Sequence, residues 1–272
     1  SVDIGSRSPA LETPGAVEHA LSVKPIDRFM AAWEEVCRRA ATGRAPRQIT
    51  MVGAGAAGAE VLLSMQHRLR EIAPALRPEF ELIGDGTEIL PGHNASARAI
   101  LKRVLEARGV RLRPNSRVDR VDRGRLQLHD GAIITTELIA WATGASPSLW
   151  PRSVGLATDE RGFLLVNDAL QSVSHPRVFA AGDIATVKNH PRPKSGVFAV
   201  RAGPPLEHNL RRALQDLPPV AWRPQHHALA LITTGGRHAI ASRGDLALQG
   251  DWVWQWKNWI DRRFMRRYKI GD

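Results

Sequence analysis

Three glycines carry the most specific chemical signal in the chain. Within the stretch 48–60, QITMVGAGAAGAE, Gly53, Gly55 and Gly58 fit G-x-G-x-x-G. In this pattern the first glycine permits a tight turn and the second lets a pyrophosphate approach the backbone. The third lets a helix pack close on a strand. The helix that follows then offers free N–H groups and the positive end of its dipole to phosphates. Gly/Ala-rich turns also serve packing alone. A strand-like run from Ile49 to Val52 before the turn, and an alanine-rich helix after it, favour a dinucleotide. Cys37 is the single cysteine, which excludes an internal disulfide and a thiol pair, so any electron transfer has to run through a cofactor. His190, His208, His226 and His227 show no metal-ligand spacing with cysteines or acids, and no metal site is expected.

These residues need elements to position them. Pro25 to Ala41 reads as a helix with Phe29, Trp33, Val36 and Cys37 on one face. The motif helix runs from about Ala56 to Arg70, and Glu79 to Ile83 is a second strand ending at Gly84-Asp85-Gly86. Ser96 to Arg108 is a helix stopped by Gly109, followed by a short strand from Val110 to Leu112. Alternation over Arg117 to Val121 and Arg125 to Leu128 continues through Asp130-Gly131 into a strand from Ala132 to Thr135. Leu138 to Ala142 is an apolar strand running into Thr143-Gly144. A βαβαβ unit, a β-hairpin excursion and a last strand make a dinucleotide-binding domain. Beyond Pro147, the stretch 155–166 holds a turn and a strand, and Arg177 to Ala181 reads as a strand entering Gly182-Asp183. Ser195 to Leu214 reads as a helix interrupted near Gly203-Pro204-Pro205. His227 to Ile232 and Arg237 to Ser242 read as a hairpin, and Trp252 to Arg267 as a closing helix.

The 272 residues suffice for one large or two ordinary domains, and 43% hydrophobic with 24% charged residues is a globular balance. The net charge of +11 comes mostly from dispersed arginines, which read as a solvated surface, and no nucleic-acid module is present. No stretch approaches the ~20 apolar residues of a membrane span, and no signal peptide opens the chain. The expected compartment is cytoplasmic.

Taken in order, the motifs resemble the two-dinucleotide-fold flavoproteins, the pyridine nucleotide-disulfide oxidoreductases, and especially their type II NADH dehydrogenase-like members. The matching pieces are GAGAAGAE at 53–60, ELIGDGTEILPG at 81–92, WATGASP at 141–147 and VFAAGDIA at 178–185. KSGVFAVRAGPPLEHNL and WKNWIDRRFMRRY are similar to the branch associated with selenide, water dikinase. The implied fold class is α/β, a Rossmann-like three-layer (ββα) NAD(P)-binding domain plus the C-terminal part of an FAD-binding domain. The resemblance divides the chain into a lead-in from the FAD domain (1–45), the NAD(P)H domain (46–147), the FAD-domain part (148–215) and a hairpin with amphipathic helix (216–272). The family's first FAD-binding βαβ unit has no counterpart here. The chain is therefore expected to be a fragment that binds nicotinamide weakly and does not turn over.

The resemblance assigns roles residue by residue. Gly53, Gly55 and Gly58 would hold the pyrophosphate of NAD(P)H. Glu60 would lie near the nicotinamide or structure its pocket, or simply carry charge near the helix N-terminus. Asp85, one residue past Gly84, favours NADH through the ribose hydroxyls, or is a turn-forming Asp-Gly. Thr143-Gly144 would allow close backbone approach to the cofactor, or a chain reversal. Gly182 and Asp183 would meet the FAD, with Asp183 on the ribityl chain; a helix N-cap aspartate reads the same way. Ser195, Gly196 and Val197 would open a helix towards the flavin ring, where Lys194 tunes the flavin or is an exposed lysine.

In the closing helix Val253, Trp256, Ile260 and Phe264 share a stripe flanked by Trp252 and Trp259. Arg262, Arg263, Arg266, Arg267 and Lys269 make the segment basic. Such a helix lies on an anionic membrane or docks on the protein's own core. The expected activity is hydride transfer from NAD(P)H to FAD, then electron transfer to a quinone or a selenium or sulfur species, without a catalytic side chain. The alternatives are a non-catalytic nucleotide-binding module serving selenide, water dikinase, and a membrane-peripheral NADH:quinone reductase.

Overall fold

The computed structural model describes residues 1–8 and 12–267. In chain order the helices are α1 (Ala16–His19), α2 (Ile26–Ala41), α3 (Ala56–Ile72), α4 (Ala95–Ala107), α5 (Trp150–Ser153), α6 (Gly196–Leu214) and α7 (Asp251–Arg266). The strands begin with β1 (Leu21–Ser22), β2 (Gln48–Val52), β3 (Glu79–Ile83), β4 (Val110–Arg113), β5 (Val118–Asp122), β6 (Arg125–Leu128), β7 (Ile133–Thr135) and β8 (Leu138–Trp141). They continue with β9 (Leu164–Val166), β10 (Ala185–Val187), β11 (Ala230–Thr233), β12 (Ala239–Arg243) and β13 (Leu246–Gly250). Two compact units result, one of Ser1–Arg7 with Ala145–Ala228 and the other of Ser8–Gly144 with Leu229–Asp272.

The second unit is built on a parallel sheet in the order β1-β8-β2-β3-β4. Its central strands QITMV and EFELI are buried over four successive residues each, as a sheet covered on both faces requires. Successive side chains point to opposite faces. Ile49, Met51, Phe80 and Leu82 join α2, α3, α4 and the strands β11 and β12 in the larger core. Val52, Ile83, Ile139 and Trp141 face the antiparallel β5-β6-β7 meander and α1 on the other side. The result is the three-layer ββα arrangement expected. The buried Glu81 also turns towards the meander, where Arg113 donates to it at 3.0 Å; a buried acid needs such a partner.

Boundaries at 45, 147 and 215 differ from this division. The segment 8–45 joins the second unit because β1 pairs with β8 and α2 buries Phe29 and Trp33 in that unit's core. The segment from Leu229 joins it because Ile232 and Ile240 enter the same core. The expected hairpin is a three-stranded sheet, since the tight turn at Gly244 (φ +54°) returns the chain as β13.

In the first unit β9 and β10 pair in parallel. The core joins Leu164, Leu170 and Phe179 with Ala202 and Leu206 of α6. The strand expected from Arg177 to Ala181 reduces to isolated bridges of Phe179 with Gln171 and Ala180 with Val2. Nor is α6 interrupted at Gly203-Pro204-Pro205. The carbonyls left without a proline N–H partner are those of Val200 and Arg201, both exposed residues on the solvent side of the helix. Ala202, Leu206 and Asn209 anchor the buried face at helical spacing, and Asn209 Nδ2 donates to the carbonyls of Ala169 and Val220. Among the described residues no helix is long and apolar enough to cross a membrane.

Candidate functional site

The three motif glycines occupy three different physical situations. Gly53 follows β2 with φ +118°, and a Cβ there would lie 2.5 Å from the Ala142 carbonyl oxygen. At Gly58 a Cβ would lie 1.8 Å from the Gly53 carbonyl oxygen, so α3 sits against the turn as closely as backbone allows. A Cβ on Gly55 would meet nothing within 4 Å. Two glycines therefore make the turn, and the third leaves open space in front of it. Gly55 is the N-cap of α3, with no side chain capping the helix and no acid in its first turn. The first N–H groups and the dipole are left for an anion.

Strand ends converge around this turn. Gly53 N–H donates to the Ile83 carbonyl and Ala142 N–H to the Val52 carbonyl, both at 2.8 Å, so β8, β2 and β3 terminate together. The crevice beyond the carboxyl ends of such strands is where this architecture binds ligands. Thr143 accepts a 2.7 Å hydrogen bond from Trp141 Nε1, and Gly144 is exposed beyond it. Gly84 follows β3 against the turn, where a Cβ would lie 2.8 Å from Ala54 Cβ, and Asp85 next to it is exposed.

Glu60, one turn into α3, is bound elsewhere. It accepts from Thr233 N–H at 2.7 Å and from Thr233 Oγ1 at 3.0 Å, tying α3 to β11. Burial holds its carboxyl pKa above the usual range. The Thr233 hydrogen bonds and Lys257 oppose that shift, and Asp261 reinforces it. Thr233 lies 173 residues away in sequence, and no local signal marks it as the partner.

In the first unit Gly182 is left-handed (φ +74°) and opens a 3-10 turn. Asp183 is oriented by Ser6, whose Oγ lies 3.0 Å from its Oδ2. Ser195 is the extended N-cap of α6, whose first turn holds Gly196 and Val197; a Cβ on Gly196 would meet nothing within 4 Å. One cleft is lined by Gly182, Asp183, Lys194, Ser195, Phe198 and Trp222.

Lys194 is not an extended surface lysine. Its Nζ donates to the Ala185 carbonyl at 2.6 Å and to Thr186 Oγ1 at 3.0 Å, and lies 4.0 Å from the centre of the Phe163 ring. Thr186 in turn donates to Asp159 at 2.7 Å. Burial lowers the Lys194 pKa to about 8, with Asp159 and Asp183 opposing the shift and Arg161 adding to it. Sequence reading missed Asp159, Phe163 and Thr186, because nothing near Lys194 in sequence points to them.

The closing helix α7 divides along its length. Val253 is fully buried against Ala239 and Ala241, with Trp254 beside it. Trp252 and Trp259 are 51% and 56% exposed, and Arg263 lies over the Trp259 ring at 5.4 Å. Lys269 lies outside the described residues.

Residues 4–203 match the model of the pyridine nucleotide-disulphide oxidoreductase family. An NADH dehydrogenase-like protein of Mycobacterium tuberculosis is 26% identical over 211 residues, covering 72% of this chain and 52% of its own length. The type II NADH:quinone oxidoreductase of Haemophilus influenzae is 26% identical over 147 residues, 51% of this chain and 33% of its own. The sulfide:quinone oxidoreductase structure from Aquifex aeolicus superposes with a TM-score of 0.80 at 14% identity, covering 97% of this chain and 67% of that one, a likeness of fold. The chain spans about half the length of the first curated relatives it matches.

Proposed function

Since the chain belongs to the pyridine nucleotide-disulphide oxidoreductase family, we propose that it serves hydride transfer from NAD(P)H to FAD. The observation that carries this reading is the open space at Gly55, before an uncapped helix N-terminus at the convergence of three strand ends. Gly53, Gly55 and Gly58 would seat the nicotinamide cofactor's pyrophosphate, with Thr143 and Gly144 closing the crevice. Asp85, exposed after β3, favours NADH. In the other unit Gly182, Asp183 and the start of α6 at Ser195, Gly196 and Val197 would hold FAD. FAD held there would supply the redox chemistry, with these residues binding and orienting it.

The names of relatives favour a quinone acceptor over a selenium or sulfur species. Association with a selenide, water dikinase domain is the alternative setting, supported by the segments 194–210 and 256–268 alone. A membrane-peripheral location is favoured by the exposed Trp252 and Trp259 beside Arg262, Arg263, Arg266 and Arg267. Sedimentation with anionic but not neutral vesicles, reduced by Trp259→Ala, is the expected outcome; equal partition to both vesicle types overturns it.

The nucleotide reading is tested by fluorescence titration with NADH and NADPH. Saturable binding with NADH tighter is expected. Gly55→Asp should weaken it by about tenfold or more, since a carboxylate would occupy the phosphate position. Absence of saturable binding by the unaltered chain overturns the reading.

A further inference from the structure

A basic cluster lies at the other end of α3 from the glycine turn. Arg70 is about four helical turns after Ala56, on the order of 21 Å along the axis at ~1.5 Å per residue. Arg108, which ends α4, is partly buried, and its guanidinium makes no hydrogen bond or ion pair among the described residues. Arg70 Nη2 and Gln66 Nε2 both donate to the Arg108 carbonyl at 3.1 Å, which places a second cation beside the first. Burial and Arg70 together push the Arg108 pKa down.

The β11–β12 turn faces these arginines. Gly235 and Gly236 are consecutively left-handed, with φ +77° and +66°, and their N–H groups donate to no described protein group. A Cβ on Gly235 would lie 3.1 Å from Arg108 Nη1, and one on Gly236 3.3 Å from the His67 ring. A Cβ on Gly235 would also lie 2.5 Å from the Leu63 carbonyl oxygen, so this glycine packs on α3 beside the Arg108 guanidinium, while the His67 ring lies against Gly236. His238 closes the turn with Nδ1 2.8 Å from Thr234 Oγ1; burial lowers its pKa, Asp251 acts to raise it, and Arg108 lowers it further. The buried Gln66 Oε1 also has no hydrogen-bond partner.

A partly desolvated guanidinium beside another cation is unfavourable unless a counter-charge arrives. Consecutive free N–H groups in a tight turn form an anion-binding concavity, and arginine forks match tetrahedral oxyanions. We propose that Arg108, Arg70 and the Gly235 and Gly236 N–H groups form a second anion site, separate from the dinucleotide turn, that takes a phosphate group.

The test is a titration of the 15N-labelled 272-residue chain with inorganic phosphate at constant ionic strength, followed at the Gly235 and Gly236 amides. Saturable downfield shifts are expected at both. Arg108→Gln should weaken them about tenfold or more, Arg70→Gln less, and Arg108→Lys should restore part. The Gly58 amide reports the dinucleotide turn separately and should not respond to Arg108→Gln. A parallel titration with AMP identifies the source: tighter binding than phosphate assigns a phosphate carried on an organic group, and equal binding assigns the free ion. Linear, unsaturating shifts overturn the proposal, as does an affinity unchanged by Arg108→Gln. If Arg108→Gln unfolds, Arg70→Gln decides, and unchanged affinity there is equally fatal. Amide shifts insensitive to phosphate likewise overturn the proposal.

Discussion

The glycine turns of the two candidate cofactor sites are made rigid in different ways. Around Gly53 and Gly58 the shape is set by backbone against backbone: any Cβ would lie within 3 Å of a carbonyl oxygen that cannot move aside. Around Gly182 the glycine has room, with the nearest atom 3.6 Å from a Cβ. The site is instead arranged by side chains, Ser6 on Asp183 and Lys194 on Ala185, Thr186 and Phe163. A backbone-built turn tolerates almost no substitution at Gly53 or Gly58 and depends little on its neighbours. A side-chain-built one is tuned residue by residue and responds to pH.

The sharpest way to break this contrast is Gly58→Val. It should lower unfolding free energy by about 3 kcal/mol or more in urea titration, whereas Gly182→Ala should cost about 1–2 kcal/mol, the strain of a left-handed alanine. Equal losses would end the distinction. Next in size is Glu60→Ala, which removes the acceptor of two Thr233 hydrogen bonds and should cost about 1–2 kcal/mol. Glu60→Gln retains an acceptor oxygen and should stay within about 1 kcal/mol. A smaller change is expected for Gly55→Asp, within about 0.5 kcal/mol, because its side chain enters open space. Such a variant separates folding from nucleotide binding in one melting curve.

Lys194 gives the side-chain-built turn its own signature. Its folded pKa is about 8 against 10.5 for the ordinary lysine, so the unfolded chain binds more protons between those values. Stability therefore rises with pH across that window through this group, and the gain is lost as pH falls through about 8. Lys194→Met should flatten that part of the pH–stability profile while leaving the Gly58 region unaffected. Glu60 works in the opposite sense. Its raised carboxyl pKa gives stability that is full below the ordinary glutamate value and lost as pH rises through the folded one.

The same contrast explains how much was legible in the sequence. Glycines whose Cβ would strike backbone leave a fixed spacing, so Gly53 and Gly58, with the open Gly55 between them, locate their turn and the strand and helix beside it. The parallel strands QITMV and EFELI read as strands from their β-branched and apolar residues, although each also buries a polar residue, Thr50 and Glu81. Partners such as Thr233 for Glu60, or Asp159 and Phe163 around Lys194, leave no such trace, because they are brought together only by tertiary packing. The continuous α6 misled sequence reading for a related reason. Pro204 and Pro205 are local breakers, but the carbonyls they leave unbonded lie on the wetted face, so packing of Ala202, Leu206 and Asn209 prevails.

The sheet β11-β12-β13, with α7, completes a unit whose other strands and helices lie before residue 145. During synthesis the outer faces of α3 and α4 must therefore wait for the stretch 145–228 to be made before Ile232 and Ile240 can cover them. At typical elongation rates that interval is on the order of 10 s, long compared with helix formation. For that time the nascent chain carries a sticky, half-finished core. A truncation just before Ala230 would make that interval permanent, and its product should be a client of chaperones and an early target of proteases.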